Sequence, residues 1–311
     1  MGDPPHVTDP ESDARALARS VPGWADADLT LTPLEGGLTN RNFRVDVGNE
    51  AFVIRVPGAE TALLGIDREA EYEASRCAAD AGVGPPVHAF LQDRGCLVTR
   101  FVQGDHIQQA DLERESVLAP VVASIRAIHA FPPVSSTFPV FRIVEEYRGI
   151  ARARGIAIPP AYEEARARAQ EIEASFAAHP VALVVCHNDL LNANFLRDGG
   201  HVWIVDYEYA GVGDPFFDLG NLSINNGFSP ATQELLLGLY FGSVRDVHRA
   251  RLALMRIMSD FREAMWGVVQ QALSSLDIDY EDYAGRHFAR LLANADDDRY
   301  GDWLSDAGHP V

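Results

Sequence analysis

Between Ala182 and Asp206 the chain sets short apolar runs against polar residues in an order that few folds accommodate. Ala182–Val185 reads as a strand, and the polar stretch Cys186-His187-Asn188-Asp189-Leu190-Leu191-Asn192-Ala193-Asn194 follows it directly. Asp198-Gly199-Gly200 is a turn, Val202–Val205 is a second strand, and Asp206 stands at its end, twelve residues after Asn194. If the strands around that turn pair as a ribbon, Asn194 and Asp206 come together at one end of it. Asp189, five residues before Asn194, then lies on the same loop.

Three oxygen-bearing side chains so placed suit phosphoryl transfer. That reaction needs a divalent ion to neutralise phosphate oxygens and a carboxylate to orient the attacking hydroxyl and take its proton. Mg²⁺ prefers hard oxygen ligands, so Asn194 and Asp206 are the candidate metal ligands and Asp189 the candidate base.

The rest of the chain fits a two-lobed α+β protein. Its 311 residues, 47% of them hydrophobic, are enough for a large core. The first hundred residues read mainly as strands: Leu29–Leu34, Phe43–Val47, Ala51–Val56, Val87–Leu91 and Cys96–Val102. A short helix is expected over Glu11–Ser20, and a longer one is inserted over Asp67–Ala81. Residues 1–10 read as a loose tail. After Gly104 helix dominates, over Leu112–His129, Tyr162–Ala178 and from Gln233 onward, with Phe131–Phe141 as a connector. The expected division is 1–103 for a nucleotide-binding lobe and 104–311 for a catalytic and acceptor-binding lobe.

Composition excludes several alternatives. The formal net charge is −19, which disfavours nucleic acid or an anionic membrane as partner and suits a cationic small molecule. The chain contains no lysine, so Schiff-base chemistry and the P-loop lysine are ruled out. Cys77, Cys96 and Cys186 form no disulfide framework, and with no signal-like or membrane-spanning run a cytoplasmic protein is expected. There is no Gly-x-Ser-x-Gly elbow and no His-Glu-x-x-His zinc motif.

Upstream, Leu34-Glu35-Gly36-Gly37-Leu38-Thr39-Asn40 lies between two strands. Gly36 and Gly37 allow backbone N–H groups to approach phosphate, and Thr39 and Asn40 offer further donors. A plain hairpin turn has the same pattern.

His187–Asn194, with Val205-Asp206-Tyr207-Glu208-Tyr209-Ala210-Gly211 and Asp214-Pro215…Asp218-Leu219-Gly220-Asn221, resembles the choline/ethanolamine kinase branch of the aminoglycoside phosphotransferase superfamily. The similarity runs from about Leu34 to Leu291. It implies a protein-kinase-like bilobal fold, a small β-rich lobe with one long helix and a larger helical lobe, with ATP and Mg²⁺ in the cleft. It also implies a hydroxyl acceptor such as choline or ethanolamine. By that resemblance Arg55 takes the place of the protein-kinase lysine, with a helix carboxylate as partner. Glu69, Glu71 and Glu73 are available, and Glu71 fits the register best. Val98–Val102 falls at the inter-lobe hinge. By the same resemblance His187 is expected to shape the loop rather than react, Asp218 to brace the catalytic loop, Glu208 to support the metal shell, and Asn221 to reach the acceptor.

Near the C-terminus Met258, Phe261, Met265, Val268 and Val269 form an apolar stripe, while Asp260, Glu263, Trp266 and Gln270 recur on another face. Two carboxylates beside an indole suit an ammonium ion, and Tyr280 and Tyr283 are candidate aromatic walls. A solvated helix face has the same spacing. Eukaryotic choline kinases resemble Trp-x-x-Trp here, whereas this chain has Glu263-x-x-Trp266, and Leu191 replaces a polar residue. Both departures leave the acceptor open: an antibiotic-type phosphotransferase is the alternative within the class, and a non-catalytic nucleotide-binding module the alternative outside it.

Overall fold

The computed structural model describes residues 10–35, 39–58, 60–274 and 276–311. Helix α1 (Pro10–Ser20) leads into β1 (Leu29–Leu34), β2 (Asn40–Val47) and β3 (Glu50–Pro57). After α2 (Arg68–Asp80) come β4 (Val87–Leu91) and β5 (Cys96–Arg100). These five strands form one antiparallel sheet in the order β1-β2-β3-β5-β4. Alternation sets its inner face: Leu29, Leu31, Phe43, Val45, Phe52, Ile54, Cys96 and Val98 are buried with Ala14, Ala18 and Trp24. Of the expected loose tail, residues 1–9 lie outside the described residues, as do Gly36 and Gly37, and Pro10 begins α1.

The larger lobe begins with β6 (Asp105–His106) and continues through α3 (Glu115–Ile128), α4 (Val140–Ala153) and α5 (Ala161–Ala178). Next come β7 (Val184–Cys186), β8 (Phe195–Asp198), β9 (His201–Ile204) and β10 (Gly211–Gly213). Five helices complete it: α6 (Pro215–Asn225), α7 (Pro230–Phe241), α8 (Asp246–Leu273), α9 (Tyr280–Ala295) and α10 (Tyr300–Ala307). Small sheets β6-β8-β9 and β10-β7 carry the central loop. Among the described residues no helix is long and apolar enough to cross a membrane.

Two helices had no counterpart in the sequence pattern: α4, which starts at the end of the expected connector, and α6. Every residue from Pro215 to Ile224 is buried, so α6 has no polar face and hence no helical period to read. Helix α2 is capped by Asp67, whose side chain accepts from the Glu69 and Ala70 N–H groups. Its Ala74 and Ala78 pack with the helical lobe's core rather than the sheet's. The Ile204 N–H also donates to the Val83 carbonyl at 2.7 Å. The lobes are therefore joined through α2 as well as through the chain near Gln103.

Helix α8 is 28 residues long, about 42 Å at the helical rise, and α6 lies across it. Contact is closest at Gly220, where an added Cβ would sit 2.7 Å from the Met255 carbonyl carbon and 2.9 Å from the Arg256 nitrogen. Neither backbone atom can move without shifting α8. Gly220→Ala should therefore lower the unfolding free energy by about 1–3 kcal/mol, read from urea titration. An unchanged midpoint would contradict this close approach.

Candidate active site

The β8–β9 hairpin brings the two candidate metal ligands together as the ribbon reading expected. Phe195 pairs with Ile204, and beyond that rung the Val205 N–H donates to the Asn194 carbonyl at 3.0 Å. Asn194 Nδ2 donates to the Asp189 carbonyl at 2.9 Å and approaches Asp189 Oδ2 at 3.4 Å. A carbonyl only accepts, so the amide nitrogen must face it and Asn194 Oδ1 is left for another partner. Asp206 adopts φ 73° and Asn188 φ 66°, a region sparsely used by non-glycine residues and often found at functional sites. Asn188 is held there by Nδ2 donating to the Tyr209 carbonyl at 2.9 Å.

Asp218 braces this loop from α6. Its Oδ2 accepts from His187 N at 2.8 Å and its Oδ1 from Asn188 N at 2.6 Å. His129 Nε2, on the residue after α3, lies 2.9 Å from Oδ2. Asn221 is a correction. It is fully buried, its Oδ1 accepts from Leu190 N at 2.6 Å and its Nδ2 donates to Ser259 Oγ at 3.1 Å. It fixes the loop from beneath instead of reaching an acceptor. His187, also buried, lies with Nε2 3.0 Å from the Val205 carbonyl, in keeping with a shaping role.

Arg55 on β3 bonds Glu71 Oε1 at 2.9 Å and Asp206 Oδ1 at 2.6 Å through one Nη1. Of the three candidate glutamates, Glu71 is the buried one. Glu69 accepts from Gln92 and Glu73 from Ser135 N. Arg68, which sequence reasoning missed, joins the same cluster, with Nη1 2.7 Å from Glu71 Oε2 and 3.3 Å from Glu208 Oε2. Its Nη2 donates to Asn40 Oδ1 at 2.8 Å. Thr39 Oγ1 and Asn40 Nδ2 donate to Glu208 at 2.5 and 2.6 Å. Both side chains thus bridge the lobes through Glu208, and the expectation that they face phosphate is not met by this arrangement.

The electrostatics follow from burial. Burial pushes Asp206 up, but the Arg55 charge and hydrogen bond outweigh it and hold the carboxyl below its ordinary range. Burial and the neighbouring Asp206 push Glu208 up to about 7. Burial raises Asp189 well above the usual aspartate range, Arg262 opposes, and Glu263, Asp206 and Glu208 add to the rise.

A cavity of ≈ 450 Å³ opens between the lobes, within the ordinary size for a small-molecule site. Its apolar walls include Val53, Leu97, Phe101, Val102 and Leu196, and its polar end carries Arg55, Glu71, Asn194 and Asp206. Of the segment expected at the hinge, residues 99–102 line this cavity, while Val98 is buried in the sheet's core.

On the acceptor side the structure divides the expected set. Trp266 Nε1 donates to Tyr209 Oη at 2.9 Å, and its ring meets Tyr280 and Tyr283 edge-on at 5.9 and 5.6 Å. Tyr283 Oη donates to Glu263 Oε2 at 2.7 Å. Asp260 is the second correction: fully buried, it is clamped by Arg290 at 2.5–3.0 Å and by His287 Nδ1 at 2.8 Å. Its carboxylate ties α8 to α9. Arg262 was also missed, although a charge four residues after Met258 and three before Met265, inside the apolar stripe, marks it in the sequence.

Comparison with known proteins agrees with this geometry. The profile of the phosphotransferase enzyme family matches residues 30–254. Protein LicA of Haemophilus influenzae is 26% identical over 253 residues, covering 76% of this chain and 72% of that protein. Ethanolamine kinase 2 of Rattus norvegicus is 27% identical over 304 residues, 87% of this chain and 77% of the rat protein. The crystal structure of a choline/ethanolamine kinase family protein from Mesorhizobium loti aligns with a TM-score of 0.83 at 31% identity, covering 96% of this chain and 99% of that one. The chain therefore belongs to the phosphotransferase enzyme family and, within it, to the choline/ethanolamine kinase family.

Proposed function

We propose that this chain transfers the γ-phosphoryl group of ATP to the hydroxyl of a small amino alcohol, choline or ethanolamine in kind, with Asp189 as the base. The observation that carries the reading is that Asn194 and the Arg55-paired Asp206 stand at the polar end of the cleft, with Asp189 hydrogen-bonded to Asn194 beside them.

The donor set fits Mg²⁺: Asn194 Oδ1 and the Asp206 carboxylate are hard oxygens on adjoining backbone, and the first is left without a role in the loop. Bound there, the ion would neutralise charge on the phosphate oxygens. Arg55 carries its charge at the polar end of the cavity, and the apolar walls between Val53 and Leu196 suit a purine. Asp189, with its basicity raised by burial, is a stronger proton acceptor for an alcohol than an exposed aspartate. The Trp266, Tyr209 and Tyr283 cluster with Glu263 supports a nitrogen-bearing acceptor.

Asp189→Asn should leave ATP affinity nearly unchanged by calorimetry while turnover of ethanolamine or choline falls about 10²- to 10⁴-fold. A near wild-type rate would remove Asp189 as the base. Phosphorylation of an aminoglycoside with neither amino alcohol turned over would overturn the acceptor assignment. The pH profile gives a separate check. The base must be ionised, so kcat/KM for the acceptor is lost as pH falls through the raised pKa of Asp189, while Asp206, held low, stays ionised. The acid limb should lie clearly above the ordinary aspartate value of about 3.9, and a limb at that value would contradict the assignment.

A further inference from the structure

Arg262 interrupts the apolar stripe of α8 and is only 2% exposed. Its Nη1 donates to Glu263 Oε1 at 2.8 Å, and its guanidinium lies 4.2 Å over the Tyr209 ring. Nε and Nη2, both buried, have no hydrogen-bond partner among the described residues. In a planar guanidinium these two N–H groups point the same way along one edge. That edge matches two coplanar oxygens of a carboxylate or phosphate, the geometry for which arginine is suited over lysine. Burying both donors of a charged group unpaired is unfavourable, so the edge is built for an occupant.

Its position links it to the chemistry. Tyr209, under the guanidinium, accepts through its carbonyl from Asn188, the residue before Asp189. The same tyrosine's hydroxyl accepts from Trp266, and Glu263 accepts from both Arg262 and Tyr283. Among the charges acting on Asp189, that of Arg262 is the largest. Tyr147 Oη, which donates to the Leu64 carbonyl at 2.9 Å, also accepts from the Arg262 side chain, but a phenol presents one acceptor atom, not a coplanar pair. Glu263 already engages Nη1, which leaves the Nε/Nη2 edge as the unfilled one.

We propose that the Nε/Nη2 edge of Arg262 is an oxyanion-binding position beside Glu263, Tyr209 and the loop that carries Asp189. It takes either a carboxylate carried by the acceptor or the phosphoryl group once that group sits on the acceptor's hydroxyl. The inference rests on the phosphotransferase reading of the site. It assigns Arg262 to specificity or product binding, in addition to its pairing with Glu263.

The test compares wild type with Arg262→Met, which keeps bulk without charge, and Arg262→Lys, which keeps charge without the edge. Thermal melting and ATP KM establish that each variant is folded and binds nucleotide, and the lysine variant carries the comparison if the methionine one does not fold. One arm measures kcat/KM for ethanolamine and L-serine, which differ by a carboxylate. The other measures product inhibition by phosphoethanolamine. If the acceptor supplies the oxyanion, wild type prefers L-serine, and each variant loses about ten- to a hundredfold more on it than on ethanolamine. If the phosphoryl group supplies it, the inhibition constant of phosphoethanolamine rises by a similar factor while the ethanolamine KM holds. Folded variants with unchanged selectivity and unchanged product inhibition, or with equal losses on both acceptors alone, overturn the role of Arg262 and leave the phosphotransferase reading standing. Wild type that binds ATP but phosphorylates neither ethanolamine, choline nor L-serine overturns both.

Discussion

At the junction of the lobes two arginines, Arg55 and Arg68, meet three carboxylates, Glu71, Asp206 and Glu208. Buried charges persist only where they are paired and hydrogen-bonded, and removing one partner leaves another exposed to a low dielectric. This cluster draws on β3, α2, the start of β2 and the segment after β9, so it fixes how the sheet lobe sits on the helical lobe. Two positive against three negative groups leave an excess of one negative charge. Burial first, and then that excess, raise Glu208 to about 7, while Asp206, bonded directly to Arg55, is held low. A site with surplus negative charge beside free hard oxygens is one that a divalent cation would complete.

Beneath that cluster the catalytic loop is held by neutral and anionic side chains of the helical lobe. Asp218, Asn221 and Asn226 each bond its backbone, at Asn188, Leu190 and the Leu190 carbonyl respectively. Their positions on and just after α6 depend on the close approach of that helix to α8 at Gly220. The same α8 carries Arg262, Glu263 and Trp266 to the acceptor side. One long helix thus supports the loop from below and carries the Arg262, Glu263 and Trp266 cluster, which couples the position of Asp189 to the proposed acceptor site.

Legibility in the sequence depended on which interactions are local. The spacing of Asp189, Asn194 and Asp206 survives because a hairpin turn and one rung of β-pairing suffice to join Asn194 to Asp206. The Arg55–Glu71 pair was expected only through the family resemblance, whose register pointed to Glu71 among three helix glutamates. Arg68 was missed because the residue after an N-cap aspartate reads as a surface position, and only the tertiary approach of Glu208 gives it a partner. Asp260 and Glu263 share a helix face, but periodicity gives direction and not neighbours. Arg290 and His287 on α9 claim the first, and Arg262 and Tyr283 the second. Thr39 and Asn40 read as phosphate donors for the same reason: their partner, Glu208, is 168 or more positions away in the chain.

The central claim is that Asn194 and Asp206 form one divalent-ion site serving a nucleotide in the cleft. Electron paramagnetic resonance of Mn²⁺ titrated with ATP, on wild type, Asn194→Ala and Asp206→Asn, tests it directly. The account predicts tight Mn²⁺–ATP binding to wild type and a loss of about tenfold or more in each variant. Variants that bind Mn²⁺–ATP as wild type does would contradict it.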